Sequence, residues 1–107
     1  MIRPFDVLRV NGNVVNADGE VTAERANEWG IWAHVKDQEE LRYLAGLFAQ
    51  SSEPVDIEIG AAEAAEAVAP RMRGRARIDM GGEALPTEVP AVVRFVGVGP
   101  LEYPENV

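Results

Sequence analysis

Arg71-Met72-Arg73-Gly74-Arg75-Ala76-Arg77-Ile78-Asp79-Met80 decides how this chain folds. Four of its ten basic residues fall within seven positions, at strict alternation. A β-strand turns successive side chains to opposite faces. As a strand, the stretch puts Arg71, Arg73, Arg75 and Arg77 on one cationic ridge. Met72, Gly74, Ala76, Ile78 and Met80 then face a core. Like charges about 7 Å apart repel, so the ridge needs acidic neighbours. Asp56, Glu58 and Glu88 on neighbouring strands supply them within the chain, and acidic residues of another subunit supply them between chains. The sequence leaves both open.

Outward from the ridge, Val55-Asp56-Ile57-Glu58-Ile59 alternates in the same way, apolar on one side and acidic on the other. Ala91 to Val98 is almost continuously apolar, which predicts a strand buried on both faces or covered by a partner. Gly81-Gly82 marks a turn, and Pro86 and Pro90 make residues 83–90 a loop. Near the N-terminus, Phe5 to Val10 reads as a strand entering an Asn11-Gly12 turn, a strong hairpin signal because both residue types tolerate positive φ. Val14-Val15 begins the return strand, and Asn16-Ala17-Asp18-Gly19 reads as a second turn. Residues 20–28 are compatible with a polar strand, a loop or one helical turn. Ile31 to Lys36 alternates as a strand.

The helix signal lies at residues 38–50. Asp37 is placed as N-cap and Glu40 completes a capping box, with Leu41, Leu44 and Phe48 on one stripe. Residues 61–69 have helical composition without a stripe of large side chains, so a surface helical turn and an extended linker both fit. The expected fold class is α+β, mainly β: a small antiparallel sandwich or barrel of five to seven strands flanked by one helix, residues 1–107 forming a single domain.

Composition narrows the function. Hydrophobic content of 47% and charged content of 26% are those of a globular domain. No apolar run reaches the roughly 20 residues that span a bilayer, so no membrane partner is expected. There are no cysteines, hence no disulfides or thiolate zinc sites. Net charge is −8, all of it carried by residues 1–66, while residues 67–107 are balanced. A polyanion is repelled by such a field, and the ridge lacks interleaved aromatics for stacking bases.

Catalytic residues are not expected. His34 is the only histidine and sits in an alternating strand, where a packed or surface imidazole is the ordinary reading. No nucleophile elbow or phosphate-cradling loop occurs. Asp56 with Glu58, and Glu63 with Glu66, are explained as solvated acidic faces, so neither a metal nor a cofactor is predicted. Trp29 and Trp32 are core aromatics or, alternatively, interface anchors, a role for which Trp and Arg are enriched.

Gly74, Ala76 and Ile78, followed by Val93, Phe95, Gly97, Gly99, Pro100 and Leu101, resemble the C-terminal strands of tail-tube proteins from long-tailed bacteriophages. The match covers roughly thirty residues of strand and turn chemistry. The resemblance implies a β-sandwich flanked by a helix, stacked as rings, commonly hexameric, around a channel that passes DNA without binding it specifically. It implies other phage tail proteins as partners, and a virion tail assembled in the host cytoplasm. The segment Phe5 to Glu24 is the nearest candidate for the hairpin that completes a neighbouring subunit's sheet in that family. The expectation is therefore a non-enzymatic structural virion protein, a tail tube or tail-associated component, whose subunit interface uses Arg71, Arg73, Arg75, Arg77, Trp29, Trp32 and Phe95. The alternative is a small binding, adaptor or capsid-decoration module.

Overall fold

The computed structural model describes residues 2–25, 27–50, 53–60 and 72–102. Arg71, the 61–69 segment with Glu63 and Glu66, Ser51, Ser52 and the tail from 103 lie outside the described residues. Within them the expected mainly β architecture with one helix is present: a curled, antiparallel eight-stranded half-barrel carrying a single helix. The elements are β1 (Ile2–Phe5), β2 (Val7–Val10), β3 (Asn13–Val15), β4 (Ala17–Arg25), β5 (Glu28–Val35), α1 (Gln38–Gln50), β6 (Val55–Gly60), β7 (Met72–Ile78) and β8 (Ala91–Gly97). Their order across the sheet is β1-β4-β5-β8-β7-β6-β2-β3.

One bent hairpin forms both ends of this sheet. Asn11 (φ 50°) and Gly12 (φ 83°) both occupy the left-handed region that a two-residue hairpin turn requires. Past the turn, Val10 faces Asn13 and Leu8 faces Val15, while Phe5 faces Gly19 and Ile2 faces Thr22. The register slips by one residue at Asp6 and Asn16, and there the arms diverge. The first arm pairs through β2 with β6, and the second through β4 with β5.

The predicted turn at residues 16–19 is thus absent, since only Asn16 interrupts the strand and Ala17 to Arg25 continue it. Gly19 serves a close approach instead. A Cβ there would meet the main-chain carbonyl oxygen of Trp32 on the paired strand. Residues 20–25 are strand despite their polarity, because β5 pairs along them and β1 closes the other side as far as Thr22.

The concave face buries one core. Phe5, Leu8, Val10, Val21, Ile31, Val35, Ile57, Ile59, Val93 and Phe95 point into it from six strands, and α1 adds Leu41 and Leu44. β8 is buried on one face only, with Ala91, Val93 and Phe95 inside and Val92 and Arg94 outside, so of the two alternatives for its apolar run, burial on both faces within the chain is not the one found. Phe48 is also displaced from expectation: it sits past the end of the buried stripe, 38% exposed.

Helix α1 is held at its start by side chains. The Asp37 carboxylate accepts the backbone N–H of Glu39 at 2.8 Å and of Glu40 at 3.3 Å, as an N-cap should. Glu40 does not close the predicted capping box. Its carboxylate accepts the Asn16 N–H through both oxygens, at 2.8 and 2.9 Å, and pins the slipped register of the hairpin to the helix. The Tyr43 hydroxyl donates to the Val10 carbonyl at 3.2 Å and accepts from Asn13 Nδ2 at 2.9 Å. Gln38 holds the 83–90 loop through Thr87 O and Val89 N. Glu40→Ala is expected to cost about 1 kcal/mol, since a charge-assisted bond to an exposed backbone N–H is lost. Urea unfolding checks this, and an unchanged midpoint would show that water replaces the carboxylate without loss.

Candidate subunit surface

β7 alternates as its sequence requires: Met72 and Ala76 are buried, and Arg73, Arg75 and Arg77 are exposed on the outer face. Register then decides the fate of the charges. Arg73 lies directly opposite Glu58 on β6, and Arg75 opposite Asp56. Arg73 Nε is 3.2 Å from Glu58 Oε2, and Arg75 Nε is 3.5 Å from Asp56 Oδ1. Glu58 is shared, its other oxygen lying 3.7 Å from Arg9 on β2. An Arg9–Glu58–Arg73 chain therefore crosses three strands. Neutralisation is achieved in cis for Arg73 and Arg75, by Glu58 and Asp56. Such half-exposed pairs are worth about 0–1 kcal/mol each, and their effect is to relieve the repulsion along the ridge.

Trp29 and Trp32 separate by strand parity. Trp29 shares its face with Ile31, Ala33 and Val35 and is buried, and Trp32 points outward, 44% exposed. The Trp29 indole lies across the backbones of β7 and β8 at Gly74 and Gly97, where any Cβ would collide with the ring. Its Nε1 donates to the Gly99 carbonyl at 2.9 Å. After Gly99 (φ 89°) the chain turns back alongside β7, where Glu102 exchanges backbone hydrogen bonds with Arg73 and Leu101 is buried. Gly74, Gly97 and Gly99, three of the residues behind the tail-tube resemblance, thus build the slot for one buried tryptophan.

Trp29 and Phe95 must accordingly be removed from the predicted interface set. Both belong to the chain's own core and present no surface to a neighbour. The first hairpin is likewise no free arm, because β2 and β4 are paired within the chain. Residues that the sequence reading passed over are prominent instead. Arg94 is exposed, its guanidinium carbon 5.1 Å from the centroid of the Trp32 ring. Val14 on β3 is 63% exposed, and Val92 beside Trp32 is 38% exposed. Alternation within Ala91 to Val96 was the signal that marked Val92 and Arg94 as outward.

His34 faces Asp18 across β4 and β5 in a shallow groove of about 500 Å³ lined also by Pro4, Phe5, Asp6, Gly19, Glu20 and Lys36. Lys36 Nζ lies 3.1 Å from Asp18 Oδ2 and holds that carboxyl below its ordinary value. No serine, threonine or cysteine lines this groove. Among the described residues no group of three or more His, Asp or Glu side chains converges as metal ligands. No described helix is long and apolar enough to cross a membrane.

Compared with known proteins, the chain matches no family model, no curated protein sequence and no solved structure.

Proposed function

We propose that this chain is a structural subunit that assembles with copies of itself into rings, in the manner of the phage tail-tube proteins that its final third resembles. The observation that carries the reading is the state of the sheet's two ends. Among the described residues, β1 pairs only with β4 and β3 only with β2, so each presents one short row of backbone groups with no partner strand, the row on β1 lacking a donor at Pro4. Exposed edges of this kind are templates for another chain. They lie at opposite ends of the sheet order, so β3 of one copy laid against β1 of the next continues the sheet from subunit to subunit. That contact is heterologous, the type that closes into rings. Val14, the most exposed large apolar side chain of the described residues, sits on β3.

The arginine ridge is a poor handle for testing this. Glutamates at positions 73 and 75 would stand beside Glu58 and Asp56 and weaken the fold itself. Val14→Glu is the better variant, because position 14 lies opposite Arg9 and the monomer tolerates a carboxylate there. Sedimentation velocity and negative-stain microscopy of concentrated wild-type protein are expected to show discrete ring-sized particles, and Val14→Glu is expected to abolish them. Rings unaffected by the substitution, or a wild-type protein that never exceeds a dimer, would overturn the proposal.

A further inference from the structure

Register places one row of side chains straight across the outer face of the half-barrel. Glu20 on β4 lies opposite Trp32 on β5, and Trp32 lies opposite Arg94 on β8. All three are exposed. Arg94 rests on the indole, and among the described residues neither Arg94 nor Glu20 has a salt-bridge partner. The two stand on either side of Trp32's strand, about 10 Å apart, and form no direct pair. The row therefore reads acid, aromatic, base, with no ion pair at either end; Asp79, whose backbone N–H bonds the Arg94 carbonyl, turns its carboxylate to the Gly81 N–H instead.

We infer that this face is a self-recognition surface, on which a second copy of the chain docks about a two-fold axis running along β5. Rotation about that axis reverses the row. Trp32 meets Trp32, Glu20 of each copy faces Arg94 of the other, and each unanswered charge gains its opposite. The neighbouring rows allow this approach. Thr22 comes opposite Val96, and Asp18, already held by Lys36, comes opposite Val92. Packed sheets stand about 10 Å apart, a gap that a glutamate and an arginine span together. An axis across the strands instead would set Glu20 against Glu20 and is disfavoured.

The face is small. Three strands over about seven residues give roughly 300 Å² in projection, well under the ~800 Å² per partner of a standard interface. The pair is accordingly weak, with a dissociation constant of about 10 μM or above. It is also closed, holding two subunits and extending no further. It uses neither β1 nor β3, so it goes beyond the ring reading and does not depend on it.

Charge reversal tests the pairing. Sedimentation equilibrium on the full chain is expected to show a monomer–dimer equilibrium in Val14→Glu protein, where rings do not interfere. Glu20→Arg is expected to weaken that dimer at least tenfold, and Glu20→Arg with Arg94→Glu to restore it to within about threefold. Tryptophan emission gives a second readout: Trp29 is buried throughout, so a blue shift with rising concentration reports Trp32. Far-UV circular dichroism confirms that each variant is folded. A protein monomeric at millimolar concentration, a dimer indifferent to Glu20→Arg, or a double reversal that fails to restore pairing overturns the inference. None of these outcomes touches the rings, which are read from Val14.

Discussion

Trp29→Ala is expected to remove about 3–5 kcal/mol of folding stability, the range for truncating a large buried aromatic. Two features place it at the upper end. The indole occupies a slot whose floor is glycine backbone, so the residues beneath it have no side chain with which to fill the space. Its Nε1–H also satisfies the Gly99 carbonyl, which the truncation leaves to water. A domain of this size commonly has about 5–15 kcal/mol in total, so the loss is a large share of it. At about 4–8 °C per kcal/mol the melting temperature should fall by more than ten degrees. Gly74→Ala supplies the control. In the wild-type background its Cβ strikes the ring and costs about 1–3 kcal/mol. In the Trp29→Ala background it should cost almost nothing, because the two sites share one space. Additive losses in the double variant would show that Gly74 is needed for something other than the tryptophan.

Gly19→Ala is the second large effect expected, at about 2–3 kcal/mol. The atom in the way is the Trp32 carbonyl oxygen, part of the backbone of the paired strand, with the Phe5 ring 3.2 Å away on the other side. A flexible side chain could yield, but here β4 and β5 must part, and this is the longest strand pair in the sheet. Chemical denaturation measures the loss. A midpoint unchanged from wild type would mean that the strands separate locally without consequence for their pairing.

The β7 strand was legible because its alternation is extreme: guanidinium groups on one parity cannot enter a core, and Met72 and Ala76 can. The Asn11-Gly12 turn and the Asp37 cap were legible because each rests on a local backbone requirement. What escaped the sequence depends on distant partners. Asn16-Ala17-Asp18-Gly19 has turn composition, yet β5 pairs with Ala17, Asp18 and Gly19 and β1 with Gly19, and these pairings hold them extended. Glu40 could bond locally, yet a hairpin 24 residues earlier takes its carboxylate. The cis neutralisation of Arg73 and Arg75 turns on the register between β6 and β7, which no local pattern encodes. The identity of the core tryptophan was recoverable from parity: Trp29 keeps step with Ile31, Ala33 and Val35, and Trp32 does not.

The sheet order has a bearing on how the chain comes together in time. β5 and β6 follow one another around the helix, yet they meet only through β8 and β7, the last two strands among the described residues. Until residue 97 is available, the sheet stands in two parts, β1-β4-β5 and β7-β6-β2-β3, joined by the bent hairpin and each with an inner border waiting for a neighbour. The C-terminal pair acts as a keystone dropped into the middle of the arch. Pairings of such long sequence separation slow folding and leave unfinished borders open to association in the meantime. Newly synthesised chains are therefore most prone to going astray just before β8 arrives, and that same strand is what commits them.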